Sequence, residues 1–307
     1  MKKTTLVLGG TGHFGRQIVN SLIESNKEVK ILTRKREKAV SILGNKVEII
    51  EGDITDNNIF EKLLIDVDKI VISISAFKPS LIKKMDVIEK TAVINLLKAA
   101  ERNGIQKIVY ISTYELNKNL IEKYNLKSAE IKLEIENYLK NSSLNYKIIG
   151  TAPSMEIFFA MLKGSIMIVP GGGPASLPVI APQDVGIIVD KIINKDDFNR
   201  KRVKVTGPGI YSFYEAKDII AKELDKKIIF LLIPLIFPVA VTKLSKIFNK
   251  FSKKTYFFNE LIGYIKLLNN FPQDTAQKAP LRCKRLIKLY GYQPISLKEY
   301  CKIKKYN

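Results

Sequence analysis

Histidine is almost absent from this chain of 307 residues, which holds a single one, His13. That residue sits between Gly12 and Phe14 in a glycine-rich turn, so histidine-based nucleophilic triads and multi-histidine metal sites are both excluded. Cysteine is scarce too. Cys283 and Cys301 form no CxxC pair and have no histidine cluster near them in sequence, which argues against a structural zinc site and leaves two reduced thiols. Acidic residues are outnumbered, 30 against 51 Lys and Arg, for a net charge of +21. Such a balance can serve nucleic acid, membranes or anionic ligands. The lysines are spread along a chain also rich in Ile and Asn, and no nucleic-acid motif accompanies them, so no specific nucleic-acid partner is expected. No hydrophobic run is long enough to span a bilayer. The most apolar one, IIFLLIPLIFPVAVT at 228–242, falls short of the roughly 20 residues a membrane helix needs and is broken by Pro234 and Pro238. The opening MKKTTLVLGG has too short an apolar stretch for a secretory signal, and the expected location is the cytoplasm.

What is present is a rhythm. Hydrophobic residues make up 46% of the chain and charged residues 26%, enough apolar material for a packed core. Over the first 150 residues, strand-like runs (TTLVLGG, KEVKILTR, KVEIIEGD, DKIVISIS, KIVYIST, NYKIIG) alternate with helical ones. FGRQIVNSLIESN carries Phe14, Ile18, Leu22 and Ile23 at helical spacing, and LIKKMDVIEKTAVINLLKAAERNG predicts one long helix closed by Gly104. This alternation predicts an α/β fold with a doubly wound parallel sheet of Rossmann type over 1–150. The rhythm then breaks, predicting a smaller, mostly helical substrate lobe over 151–307, some of whose elements return to the sheet. Within it a helix starts near Pro182, KRVKVTGPG is a strand, and Ser212 with Glu215 forms a capping box.

The turn VLGGTGHFGRQIV follows the first strand and opens the first helix. Gly10, Gly12 and Gly15 space a G-x-G-x-x-G in the context that motif requires, a βαβ unit. Glycines permit the tight turn and let backbone N–H groups approach a pyrophosphate, and the helix dipole favours its charge. Gly9, Gly10, Thr11, Gly12, His13, Phe14 and Gly15 are therefore the candidate phosphate cradle. After the second strand, where an acid would grip the ribose of NAD, stand Arg34, Lys35 and Arg36. A 2′-phosphate suits a guanidinium, so NADP(H) is preferred over NAD(H), with Arg34 the leading contact and Lys35 beside it. Asp53 and Ile54 after the third strand are placed at the adenine, and Ser75, Ala76 and Phe77 after the fourth strand line the cofactor cleft.

GGTGHFG, TRKREK, EGDITD and KIVYIST in this order resemble the atypical short-chain dehydrogenase/reductases, in particular their NmrA-like and isoflavone-reductase-like branch. KLEIENYLKNSSLNYKIIGTAPSMEIF and LPVIAPQDVGIIVDKII, with Asp184, extend the resemblance to about residue 200. It implies a Tyr-x-x-x-Lys on the helix after the fifth strand, in which the lysine holds the ribose and lowers the tyrosine pKa. Lys132 fits the lysine position, but Ser128 stands where the tyrosine belongs, and a serine hydroxyl titrates too high to replace it. Tyr124 and Tyr114 are alternative donors. Ser112 and Thr113 match hydroxyls that orient a substrate carbonyl, or else simply cap the strand end. Lys132 has a plainer alternative as the partner of Glu136 or Ser128.

The resemblance implies an NADPH-dependent reductase of a small apolar carbonyl, enone or quinone. Some members of the branch bind the nucleotide without turnover, so a regulatory or redox-sensing role is the alternative. A further one is a membrane-surface scaffold, suggested by Leu244, Ile247, Phe248 and Phe251 at helical spacing among lysines. The lobe's apolar helices otherwise form a substrate pocket.

Overall fold

The computed structural model describes residues 4–195, 198–237 and 253–306. Its strands are β1 (Thr4–Leu8), β2 (Glu28–Thr33), β3 (Glu48–Glu51), β4 (Val67–Ile72), β5 (Lys107–Thr113), β6 (Tyr146–Thr151), β7 (Leu162–Lys163), β8 (Ile166–Pro170), β9 (Leu177–Pro178), β10 (Lys201–Val205), β11 (Ile210–Tyr211) and β12 (Ile229–Ile233). Its helices are α1 (His13–Glu24), α2 (Arg36–Leu43), α3 (Ile59–Leu63), α4 (Ala92–Arg102), α5 (Lys118–Tyr124), α6 (Lys127–Asn141), α7 (Glu156–Ala160), α8 (Pro182–Ile193), α9 (Phe213–Leu224), α10 (Lys253–Asn269), α11 (Gln273–Gln277), α12 (Ala279–Tyr290) and α13 (Leu297–Tyr306).

Seven strands form one sheet in the order β10-β6-β5-β4-β1-β2-β3, with every neighbouring pair parallel. The doubly wound fold expected from the sequence is the one observed. Strand period decides which core each side chain joins. Val7 of β1 packs in one apolar cluster with Ile18, Val19, Val185 and Ile188 of α1 and α8. Its neighbours Leu6 and Leu8 pack in the other, with Leu96 and Leu97 of α4 and Ile135 of α6. Both faces of the sheet are thus covered, which is why β1 and β6 are buried along their whole length.

The second half of the chain also contributes to this sheet. β10 adds an edge strand beside β6, and α8 begins at Pro182 and lies on α1. At the crossing, a Cβ on Gly186 would come within 2.4 Å of the Gln17 carbonyl oxygen, so the two backbones approach where only glycine fits. Ser212 and Glu215 form the expected capping box on α9.

Two elements differ from expectation. The helix α2 follows the basic turn, buries Ala39 and Leu43, and ties its Arg36 guanidinium to the Ile49 carbonyl at 2.6 Å. The long helix expected over 81–104 is instead a 3₁₀ turn (Ile82–Lys84), a π-helical segment (Asp86–Thr91) and α4. The wide π turn carries Glu89 into the interior, where it accepts the Ala76 N–H. β12 ends at Ile233, next to Pro234, as expected. The predicted amphipathic helix of Leu244, Ile247, Phe248 and Phe251, and Pro238 before it, lie outside the described residues. No helix among the described residues is long and apolar enough to cross a membrane.

Asp184, in the first turn of α8, is fully buried and accepts the Ile295 N–H with both oxygens, at 3.3 and 3.0 Å. Burial pushes its carboxyl from the ordinary 3.8 up to about 7, against the pull of that N–H. Since the folded-state value lies above the unfolded one, folding takes up a proton here. The stability this contributes is present in full below about pH 4 and is lost as pH rises through about 7. A shift of this size is on the order of 4 kcal/mol. Asp184→Asn keeps an acceptor for Ile295 and removes the titration. We expect it to raise the melting temperature at pH 8 and to do so by much less at pH 4.5, measured by thermal unfolding at the two pH values.

Candidate active site

The turn between β1 and α1 is built by close backbone packing. Gly9 has φ +77°, and a Cβ there would stand 2.3 Å from the Ser73 carbonyl oxygen. A Cβ on Gly15 would stand 2.0 Å from the Gly9 oxygen, so the helix starts against the turn itself. Gly12 caps α1 without a side chain, and among the described residues no side-chain hydrogen bond covers the first-turn amides of His13, Phe14 and Gly15. Open amides, a helix N-terminus and a turn that excludes side chains fit a dinucleotide diphosphate. His13 Nε2 lies 2.7 Å from Ser154 Oγ, joining the turn to the segment after β6. Desolvation of the ring holds its pKa below the usual imidazole value, against the nearby Glu156 carboxylate, so it serves as a neutral hydrogen-bonding link.

Arg34 and Lys35 are exposed directly beyond the end of β2, while Arg36 is committed to Ile49. Asp53 Oδ1 accepts from Thr55 N–H at 3.0 Å and Thr55 Oγ1 at 2.9 Å. Partial burial works to raise its pKa, but these bonds and the charges of Arg34 and Lys84 hold it below the ordinary value. Ile54 is buried in the core beside Ile50 and Phe60. Ala76 is buried against Ile82, Met85 and Ile131, and its part is a backbone one, the N–H on Glu89.

Beyond the carboxyl ends of β4, β5 and β6 opens an apolar cavity of about 440 Å³. Phe14 from the phosphate turn forms part of its wall, as do Ser75 and Phe77, while α10 closes it with Leu261, Tyr264 and Ile265. Lys132 lines the cavity, and its side chain is 15% exposed. Its Nζ stands 3.9 Å from Glu89 Oε2 and 5.6 Å from the centre of the Tyr110 ring. Burial raises the Glu89 pKa, with the Lys132 charge and the Ala76 N–H opposing the rise. Lys132 thus pairs with a glutamate that sequence spacing alone does not suggest, and not with Glu136 or Ser128.

Ser112 and Thr113 both reach the cavity wall. Ser112 Oγ, however, donates to Glu136 Oε1 at 2.6 Å, and Thr113 Oγ1 is directed to the Glu115 carbonyl at 3.3 Å. Glu136 in turn accepts Arg202 Nε at 3.1 and 3.0 Å. Of the two tyrosines considered as donors, Tyr124 packs with Ile121, Leu126 and Ala129 and does not line the cavity. Tyr114 lines it, and its hydroxyl accepts from Arg282 at 2.8 Å, a bond that leaves its own O–H uncommitted. Sequence reasoning misses Glu89, Glu260, Arg202 and Tyr264. For Glu260 and Tyr264 a signal exists in their i,i+4 spacing on one helix face; for Glu89 there is none, because the π turn that orients it leaves no pattern.

Over 280 residues, 90% of this chain and 83% of the relative, the sequence is 24% identical to the photosystem II assembly factor Ycf39 of Synechocystis sp.. The fold matches that of the Citrobacter sp. triphenylmethane reductase with a TM-score of 0.74 at 18% identity, over 99% of this chain and 100% of that one. It matches the NADPH complex of the Escherichia coli quinone oxidoreductase QOR2 with a TM-score of 0.72 at 17% identity, over 99% and 100% of the two chains. The NmrA-like family profile matches residues 1–279, which span the glycine turn, the seven-stranded sheet and the helix that closes the cavity, and the chain belongs to the NmrA-like family.

Proposed function

We propose that this protein is an NADPH-dependent reductase of a small apolar carbonyl, enone or quinone. One observation carries the reading: the phosphate turn and the apolar cavity share Phe14 as a wall, so a dinucleotide on the turn would lead its far end toward the cavity that Lys132 lines. The structurally similar QOR2 is an NADPH-dependent quinone oxidoreductase solved in complex with NADPH, which supports the same cofactor and substrate class here. Arg34 and Lys35 would hold the 2′-phosphate, the amides of His13 to Gly15 the diphosphate, and Lys132 the ribose. The bound nucleotide supplies hydride to the substrate. The cavity's lining is mostly apolar, Ser75 and Thr113 are among its polar groups, and the Lys132 ammonium would stabilise negative charge as it develops on a substrate oxygen.

The cofactor assignment is tested by titrating the protein with NADPH and NADH, following nicotinamide fluorescence. Arg34→Ala is expected to weaken NADPH about 10- to 100-fold, the size of a lost charge-assisted hydrogen-bonded contact, and NADH by less than about threefold. Equal loss for both nucleotides, or none for either, would remove Arg34 from the site.

A second reading is an NADP(H)-binding assembly or regulatory factor without turnover. It is favoured by Ser128 in place of the family tyrosine, and by the name of the aligned Synechocystis relative, an assembly factor. Tight NADPH binding with no oxidation by any of a panel of naphthoquinones and enones would select it.

A further inference from the structure

Helix α6 offers Ser128 and Lys132 one turn apart and brings no phenol of its own to the cavity wall. The structure supplies one from elsewhere in the chain. Tyr264, on α10, lines the cavity and brings its hydroxyl to 2.6 Å from Ser128 Oγ. The direction of this bond follows from its neighbours. Ser128 Oγ lies 2.7 Å from Glu260 Oε1 and donates its only proton there. Toward Tyr264 it can therefore only accept, and the phenol is the donor. Glu260 is buried, and its two oxygens also receive the N–H groups of Ser128 at 2.8 Å and Lys127 at 3.0 Å. It thereby locks α10 onto the first turn of α6.

Local sequence explains why the phenol arrives there. Glu260 and Tyr264 are four residues apart, so both project from the same face of α10. Gly263 lets that helix approach: a Cβ there would stand 2.5 Å from the Tyr124 carbonyl oxygen. The Tyr264 ring is held edge-on to Phe77 at 5.6 Å and 83°. Burial first, and then the Glu260 and Glu89 charges, push its pKa up, against the Ser128 hydrogen bond, so the phenol is loaded with its proton.

We propose that Tyr264 is the proton donor of this site, its hydroxyl entering from α10 to take the part that Ser128 cannot play. The proposal rests on the reductase reading above. In the step, hydride forms a new C–H bond on the substrate and the C=O π pair moves onto oxygen. The Tyr264 O–H bond breaks, its proton passes to that oxygen, and the neutral product leaves. Water entering the cavity returns a proton to the phenolate. Ser128 and Glu260 are positioning residues: they fix the hydroxyl through a directed chain of hydrogen bonds and tie α10 in place.

The test compares wild type, Tyr264→Phe and Tyr124→Phe in three measurements. Phenylalanine keeps the contact with Phe77, so the fold should survive, and Tyr124 lies outside the cavity wall. NADPH affinity by fluorescence should stay within about threefold in both variants. The kcat for NADPH oxidation by a naphthoquinone should fall about 100-fold or more in Tyr264→Phe alone, the size of a lost general acid. The third probe is 4-nitrophenol added to the nucleotide-free protein, its absorbance reporting a phenolic oxygen in the cavity. Its affinity should fall about 10- to 100-fold in Tyr264→Phe and not in Tyr124→Phe. Unchanged kcat or unchanged nitrophenol affinity in Tyr264→Phe overturns the proposal, as does a wild type that does not bind nitrophenol. A wild type that binds no NADPH but holds nitrophenol through Tyr264 leaves the hydroxyl as the cavity's donor and brings down the reductase reading instead.

Discussion

Arg202→Leu is expected to destabilise the protein by about 3–5 kcal/mol, the usual cost of leaving a buried charge without its partner. Glu136 is 1% exposed, and Arg202 Nε reaches both of its oxygens. The guanidinium lies across Gly150 of β6, where a Cβ would stand 2.7 Å from one of its nitrogens. It also donates to the carbonyls of Thr113 and Tyr114 at the end of β5. One side chain from the edge strand β10 thus joins β5, β6 and α6 directly behind the cavity, and Ser112 adds a bond to the same carboxylate. In leucine the apolar stem is kept and the fork is lost. For a protein of this size the melting temperature should fall by on the order of 10 °C, read by calorimetry or circular dichroism. The double variant Arg202→Leu with Glu136→Gln removes the stranded charge and should recover at least about 2 kcal/mol relative to the single one. Equal stability of the two variants would show that a stranded charge does not account for the loss.

Lys132→Met is expected to lower kcat/KM for quinone-dependent NADPH oxidation by about 10²–10⁴-fold, the range for a removed charge-stabilising or acid–base group. Lys132 is the only cation among the described residues that line the cavity, so no neighbour can stand in for it. Methionine preserves length and apolar packing. The loss of the ammonium leaves Glu89 buried without the charge that holds its pKa down, and the carboxyl takes up a proton instead of remaining as a buried anion. The melting temperature should consequently drop less than for Arg202→Leu. NADPH binding should weaken by no more than about tenfold, since the diphosphate and 2′-phosphate contacts are separate. A variant that keeps full turnover would exclude Lys132 from the reaction. A variant that loses NADPH binding altogether would make it a binding residue first.

The two effects together show why α6 can be only half read from sequence. Its register is legible: Ser128 and Lys132 are four apart, and the amphipathic pattern sets which face they share. Its partners are not. Local spacing offers Lys132 a neighbour on its own helix, Glu136. In the fold Glu136 turns to Arg202, 66 residues away, and Lys132 to Glu89, which reaches it from a π turn. The place of Ser112 at a strand end suggests a substrate hydroxyl; in the fold it borders the cavity, and a buried carboxylate takes its proton.

The sequence by itself determined the parallel sheet, the glycine turn and the basic stretch after β2. Each depends on short-range chemistry: side-chain period, backbone freedom at glycine, and charge placed at the carboxyl end of a strand. It also determined the start of α8 at Pro182 and the capping box on α9, both local rules of helix termini. Only the tertiary structure decided the cavity's chemistry. Tyr264 stands 136 residues from Ser128, and no pattern in either segment contains the other. What brings them together is the burial of α10 over the open ends of β4, β5 and β6, where Glu260 secures α6 and Gly263 permits the approach. Contacts of that kind are set by which faces remain uncovered once the sheet has formed, and that is a property of the packed molecule.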